Sequence, residues 1–351
     1  MANSTNSGFG RSFDRRQFVQ GMGVAAGAAL TGTMIGVSRS ARADDFEISM
    51  QLGWLISNGQ LGEVAADKLG YYKDAGLSLK IIAGGPNVDG VASVASGQAV
   101  VGQVSSSPSL MLARSAGIPI KCIAAGYQQH PFTYFSLEND PIREPRDMIG
   151  KTIATQGTAR ILLRALLAKN GIAEDDVTVT VMGGDMGPLM TGQVQAVTGW
   201  ASNVNALKIL GDQRVDLRLW DTGIQLYANP YYVTDETLEK HPDKLAAFIG
   251  ATARGWDWVR QNPDAAVETL VERYPNMDPE SEREAIKIIL AYVFNEETRT
   301  GGWGTMKREN WEAQIKTYAD LGQFKNDVPG VDDIMTTAIL EATSAERPKA
   351  G

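Results

Sequence analysis

Residues 46–82 read FEISMQLGWLISNGQLGEVAADKLGYYKDAGLSLKII, and the order of periodicities in this stretch decides the fold. Ile48 to Leu55 is a short apolar run of strand type. Gln60 to Asp74 then puts Leu61, Val64, Ala65, Leu69 and Tyr72 on one helical face, and Leu77 to Ile82 returns to strand. Strand and helix signals alternate across short, Gly-containing connections, which predicts α/β units around mainly parallel sheets.

The alternation continues outward. Helices are expected over Val88–Ser96 and over Pro108–Ala116, the latter opened by proline, with strands at Ala99–Val104 and Ile120–Ala125. A second run follows, with strands at Phe132–Phe135, Lys151–Ala154, Val177–Val181, Ala196–Gly199 and Val215–Trp220. Its helices are Ala159–Lys169, Met186–Gly192 and one around Ala206. From about Thr234 the pattern is helical, through Leu245–Arg260, Pro263–Arg273 and Pro279–Val293, and these helices must bury their apolar faces on an existing lobe, expected to be the first. The predicted organisation is one lobe from residues 44–126 and 224–351 and a second from 127–223.

The N-terminus has the layout of an export signal. Arg11, Arg15 and Arg16 precede an uncharged, glycine-rich run from Gly21 to Ser38, and Ala41-Arg42-Ala43 gives a small-x-small cleavage pattern. The order Arg15-Arg16-Gln17-Phe18 resembles a twin-arginine signal, implying the twin-arginine translocase as an export partner and cleavage after Ala43 into the periplasm. Residues 1–43 contain five arginines and one aspartate, so the remainder holds 28 basic and 40 acidic residues, a net charge of −12. That balance argues against nucleic acid and anionic membranes as partners. The 308 residues after Ala43 exceed what one core usually serves, in keeping with two lobes. Cys122, the single cysteine, sits in Lys121-Cys122-Ile123-Ala124-Ala125 and reads as a buried strand residue, not a nucleophile.

Several segments resemble one family of solute-binding proteins, which includes the sulfonate-, nitrate- and thiamine-pyrimidine-binding members and shares its fold with the fungal thiamine pyrimidine synthase. Gly53-Trp54-Leu55-Ile56-Ser57-Asn58-Gly59-Gln60 ends a strand in an aromatic and a polar turn. Lys68-Leu69-Gly70-Tyr71-Tyr72-Lys73-Asp74-Ala75-Gly76-Leu77 is similar to the family's "KGYFKEAGL" signature. Met148 to Ala154 is similar to "LKGKTIA", and Gly192 to Val197 to "GQVDA", in the family's order. The resemblance implies a two-lobed, type-II periplasmic binding protein with a two-stranded hinge, expected near Gly126-Tyr127-Gln128 and Asp221-Thr222-Gly223. It further implies a monomer that hands a small molecule to an ABC permease and its ATPase, with no cofactor.

In open α/β sheets ligands sit beyond the carboxyl ends of strands, so the residues after strand ends are the candidates. They are Trp54, Asn58 and Gln60, then Ser105 and Ser106, then Gln156, Gly157 and Thr158, and later Trp200 and Asn203. Thr158 is placed to cap the helix it precedes. Asp185 is a helix cap or a ligand acceptor, and Tyr227 is expected to face the ligand while Tyr231 and Tyr232 go to the core. Charge is scarce in this set. Arg160 is the only nearby cation, which suits a neutral or weakly charged planar, pyrimidine-like heterocycle, with small sulfonate- or nitrate-type anions held by helix N–H groups as the second choice.

An enzyme of the synthase type is the competing class, and similarity within the family places its lysine and histidine where this chain has Ser105 to Ser109. Its cysteine-rich loop falls at Gly223 to Tyr227, where no cysteine occurs. The two histidines, His130 and His241, stand in no metal-ligand spacing, and no Gly-x-Ser-x-Gly elbow is present.

Overall fold

The structure, a computed structural model, describes residues 45–85 and 88–349. The twin-arginine segment and its cleavage site, residues 1–43, therefore lie outside the described residues. No described helix is long and apolar enough to cross a membrane.

Among the described residues ten strands form two five-stranded sheets. The first contains β1 (Phe46–Leu52), β2 (Leu77–Ile82), β3 (Val101–Gln103), β4 (Ile120–Tyr127) and β10 (Ala228–Thr234), in the order β2-β1-β3-β10-β4. The second contains β5 (Phe132–Leu137), β6 (Thr152–Thr155), β7 (Thr178–Val181), β8 (Ala196–Trp200) and β9 (Arg214–Arg218), in the order β7-β6-β8-β5-β9. The sheets are mixed, not mainly parallel. β1 runs parallel to β2 and β3, and β6 to β7 and β8, but β10 is antiparallel to β3 and β4, and β5 to β8 and β9. Parallel neighbours need a crossover of a dozen or more residues. β5 and β10 arrive directly from the opposite sheet, through residues 128–131 and 219–227, so no crossover helix imposes their direction.

The helix expected over Gln60–Asp74 is broken. A 3-10 turn at Asn58–Gln60 leads into Leu61–Lys68, and a separate short helix covers Tyr71–Asp74. Gly70 between them has φ +77°, which interrupts a right-handed helix at little cost only because the residue is glycine. The C-terminal helix Pro242–Gln261 crosses Leu61–Lys68 at very short range, since a Cβ on Gly255 would stand 2.1 Å from the Gly62 carbonyl oxygen. Around this crossing Trp256, Phe248 and Tyr72 are buried, with the Tyr72 and Phe248 rings stacked at 5.8 Å.

The helix Pro279–Val293 touches more than the first sheet's side. The Tyr292 carbonyl accepts the Gln128 N–H at 2.8 Å, on the connection between sheets, and Asp278 just before the helix stands 3.7 Å from Lys208, beyond β8. Cys122 is buried in β4, where its thiol lies 3.4 Å from the Ala124 carbonyl and burial raises its pKa far above the ordinary thiol value.

Candidate functional site

A cavity of about 250 Å³ lies between the sheets, walled by residues at the strand ends of both. From the first sheet come Leu52 at the end of β1, Gln103 at the end of β3, and Asn229 in β10. From the second come Phe132 at the start of β5, Gln156 just after β6, and Trp200 at the end of β8. Of the twelve candidates chosen from the sequence, the structure brings Trp54, Gln60, Ser105, Ser106, Gln156, Thr158, Trp200 and Asn203 around this one space. A more open hollow of about 440 Å³ adjoins it through Gly53, Ser105, Ser106 and Thr158.

The other four candidates stand elsewhere. Asn58 is buried and donates from Nδ2 to Glu282 Oε2 at 2.9 Å and to the Ser202 carbonyl at 3.4 Å, so its amide is a tie between the N-terminal segment, the helix Pro279–Val293 and the loop after β8. Gly157 is exposed in a 3-10 turn and lines neither space. Asp185 is exposed and accepts the Gly187 N–H at 2.9 Å in a local turn, one residue before Met186, which holds the N-cap position of the helix Gly187–Met190. Tyr227 does not face the cavity: its hydroxyl accepts from the Lys307 N–H at 3.2 Å and from Asn310 Nδ2 at 2.8 Å, and its ring lies against Trp311. Tyr227 precedes β10, and its side chain is taken by the helix Arg308–Asp320 and the residue before it, which supply both hydrogen-bond donors and the Trp311 ring. Tyr231 and Tyr232 are buried, as expected.

Two local expectations also change. Thr158 lies inside the 3-10 turn Gly157–Ala159, and the helix proper starts at Arg160 without a side-chain cap. Arg160 is exposed and does not line the cavity.

The two tryptophans are held differently. Trp200 is half-buried with its ring 5.6 Å from Tyr127 and 5.8 Å from His130, which fixes its orientation. Trp54 is half-buried with no aromatic neighbour among the described residues.

Behind the wall runs a fixed chain of amides. The Ser57 N–H donates to Gln60 Oε1 at 3.0 Å, Gln60 Nε2 donates to Gln103 Oε1 at 2.9 Å, and Gln103 Nε2 donates to Glu63 Oε1 at 3.3 Å. The Tyr231 hydroxyl donates to the same Glu63 oxygen. Each bond settles which end of the next amide is N and which is O, so the face that Gln60 and Gln103 show the cavity is set by a buried carboxyl. On the other lobe Gln156 Nε2 donates to the Thr198 carbonyl at 2.8 Å. Ser105, Ser106, Thr158, Asn203 and Asn229 make no side-chain hydrogen bond among the described residues, which leaves hydroxyls and amides for a ligand.

Sequence reasoning missed Gln103, Asn229 and His130. Gln103 lies inside a strand, where no positional signal separates it from an ordinary buried polar residue. Asn229 holds φ +48°, the one positive value at a non-glycine among the described residues, a conformation asparagine tolerates better than most. His130 carries a positional signal, since it stands three residues after β4 on the connection between the sheets.

Residues 58–266, more than half of the chain, match the family model described as NMT1/THI5 like, and the chain belongs to that family. It is similar to the riboflavin-binding protein RibY of Chloroflexus aurantiacus, 28% identical over 214 residues, which is 59% of this chain and 61% of that protein, so the match spans less than two thirds of that relative. It is also similar to the formylaminopyrimidine-binding protein of Halalkalibacterium halodurans, 24% identical across 76% of this chain and 83% of that one. At the same identity it resembles 4-amino-5-hydroxymethyl-2-methylpyrimidine phosphate synthase of Schizosaccharomyces pombe, over 70% of this chain and 75% of the synthase. Among solved structures, the alkanesulfonate-binding protein SsuA of Xanthomonas axonopodis pv. citri, bound to MOPS, matches with a TM-score of 0.61 at 15% identity, covering 84% of this chain and all of that one. The fold is therefore the two-lobed α/β fold of periplasmic binding proteins.

Proposed function

We propose that the protein is the periplasmic solute-binding component of an ABC importer and that it captures a compact, neutral, planar heterocycle by closing its lobes. One observation carries this reading: the cavity joins two tryptophans to amides and hydroxyls, and none of its lining residues is Arg, Lys, Asp or Glu. Binding a full sulfonate or phosphate inside such a wall would leave the anion without an ionic partner, which is costly once water is excluded. A flat ring instead gains stacking on the indole faces and hydrogen bonds on its edge. At about 250 Å³ the space falls just under the usual range for drug-sized ligands, so one or two fused rings fit better than a large conjugate.

The relatives named for riboflavin and formylaminopyrimidine support the heterocycle over an alkanesulfonate. The synthase relative keeps an enzymatic alternative in view, but the stretch Ser105 to Ser109, where similarity to the synthases places lysine and histidine, contains neither residue. The protein then acts as a monomer that delivers its ligand to a permease and ATPase after export by the twin-arginine translocase.

Thermal-shift screening of the purified chain tests the ligand class, because a ligand that binds only the folded state raises the melting temperature by mass action. Pyrimidines and pteridines are expected to give shifts, followed by one-to-one binding at micromolar or tighter Kd, about −8 kcal/mol. Shifts with MOPS, nitrate or bicarbonate alone, or turnover of any bound compound, would defeat the reading.

A further inference from the structure

We infer that His130 is a ligand-contacting residue whose Nε2–H donates a hydrogen bond to a neutral acceptor, a ring carbonyl oxygen or an unprotonated ring nitrogen, on the edge of the heterocycle. This rests on the proposed heterocycle-binding function and specifies which atom of the protein reads the ligand.

His130 belongs to the connection between β4 and β5, one of the two paths between sheets, and it lines the cavity while only 2% exposed. Its Nδ1 accepts the Phe132 N–H at 3.1 Å. An accepting Nδ1 carries no proton, so the ring proton resides on Nε2. That Nε2 is buried and has no hydrogen-bond partner. Among the cavity-lining residues it is the one buried side-chain nitrogen or oxygen left in this condition; the other unpartnered groups, such as Tyr127 Oη, Tyr134 Oη and Trp256 Nε1, belong to residues that do not line the cavity. A buried donor without a partner calls for an explanation, and a ligand acceptor in the adjoining space supplies one.

The ring cannot turn away to find another partner. Trp200 and Phe132 meet it edge-on, at 5.8 and 6.1 Å between centroids, and a flip would remove the acceptor that the Phe132 amide uses. The segment is tied down on both sides, since the Pro131 carbonyl accepts the Ala201 N–H at 3.0 Å and the Tyr292 carbonyl accepts the Gln128 N–H at 2.8 Å. The Ser105 carbonyl lies near the imidazole and opposes the fall in its pKa, without completing a hydrogen bond to Nε2. Burial is the larger effect and pushes the imidazole down to about 3, so the donor is neutral at any working pH. A neutral donor prefers a neutral acceptor, and no charged side chain lines the cavity to pull an anion in.

Two substitutions separate the two ring nitrogens. His130→Asn places an amide oxygen near the position of Nδ1 and keeps an acceptor for Phe132 while deleting the distal donor; His130→Gln extends an amide N–H toward the position of Nε2. With lumazine and uracil as probes and tryptophan fluorescence as readout, His130→Asn should weaken binding about tenfold or more, the value of one hydrogen bond that loses its partner, while His130→Gln retains most of the affinity. Both variants lose the buried ring's packing on Trp200 and Phe132 and should melt below the wild type, so affinities are compared at a temperature where far-UV circular dichroism shows all three proteins folded. Equal affinity of His130→Asn and wild type would overturn the inference.

Imidazole ¹⁵N NMR adds a measurement independent of any ligand, and with only two histidines in the chain a His241→Asn control assigns the signals. His130 should show the neutral Nε2–H form from pH 5 to 8; an Nδ1–H or protonated ring would overturn the inference. If wild type binds MOPS and no heterocycle, the heterocycle reading fails by itself. The same variants titrated with MOPS then decide the histidine contact, upheld by a tenfold loss in His130→Asn and overturned by none.

Discussion

Glu63 is a carboxyl group sealed inside the first lobe, and replacing it by glutamine should change how stability depends on pH. It is fully buried; its Oε1 accepts from Tyr231 and Gln103, while its Oε2 has no partner. Burial raises its pKa from 4.5 to about 7, and the bonds from Tyr231, its own backbone and Gln103 only partly oppose that rise. The folded state therefore keeps the Glu63 proton to higher pH than the unfolded chain does. Stability from this group is fully present below pH 4.5 and is lost as the pH climbs through about 7. Each tenfold difference in proton affinity between the two states is worth about 1.4 kcal/mol, so the loss across that window is roughly 3 kcal/mol. Glu63→Gln has nothing to ionise and keeps an oxygen for the Tyr231 and Gln103 donors. Urea unfolding of both proteins between pH 4 and 8.5 isolates the effect, because every other titrating group is shared and cancels in the difference. The stability of Glu63→Gln relative to wild type should rise by roughly 3 kcal/mol from the acid to the alkaline end of the series. Parallel curves would show that Glu63 titrates alike in both states, and the account of its burial would be wrong.

Trp54→Ala and Trp200→Ala should each weaken ligand binding at least tenfold in a fluorescence titration, since each removes burial and one stacking contact of about 0.5–1.5 kcal/mol. Only Trp200→Ala should also lower the melting temperature clearly, because its ring packs on Tyr127 and His130; a large destabilisation by Trp54→Ala with normal affinity would move the pocket elsewhere. Gly255→Ala should cost about 1–3 kcal/mol in thermal or urea unfolding, as overpacking does, because the new methyl would stand 2.1 Å from the Gly62 carbonyl oxygen. Gly183→Ala, with nothing within 4 Å of its Cβ, serves as the neutral control. Tyr227→Phe should leave ligand affinity unchanged while removing the bonds to Lys307 and Asn310, and a loss of affinity there would restore Tyr227 to the site.

Strand and helix periodicity locates nine of the ten described strands and the helices up to Val293 except Asp235–Lys240, because each follows from its own apolar spacing; β10 and the helices beyond Val293, Arg308–Asp320 among them, are not located individually. What periodicity does not carry is direction. Nothing in Phe132–Phe135 or in Tyr227–Tyr232 says that the strand enters its sheet from the other lobe, and so the antiparallel placement of β5 and β10 has no signal in the spacing. Nor does spacing reveal a left-handed residue: Gly70 has φ +77°, yet in sequence it is one glycine among many in an otherwise helical pattern. For the site, the rule that ligands lie beyond strand ends works where the backbone itself forms the wall, as at Trp54, Ser105, Gln156 and Trp200. It fails where a side chain is claimed by a distant segment, as Asn58 is by Glu282 and Tyr227 by Asn310, because those partners lie more than eighty residues further along and leave no local mark.

The uncharged cavity and the buried Glu63 are two ends of one arrangement. A carboxylate in the wall would repel electron-rich ring edges and would have to be desolvated again each time the lobes close. Set behind the wall, the same carboxyl orients Gln103, which orients Gln60, so that two amides face the cavity in fixed register without bringing charge to it. His130 follows the same logic from the opposite side, its tautomer fixed by a backbone N–H and its charge suppressed by burial. If both ends act on the ligand, Glu63→Gln should affect binding as well as stability, since a glutamine at 63 can present either N or O to Gln103 and so frees both amides to flip. A heterocycle with a polar edge should then bind more weakly to Glu63→Gln at every pH, with the folded protein more stable than wild type at pH 8. Unchanged affinity would mean that Gln60 and Gln103 line the cavity without reading what occupies it.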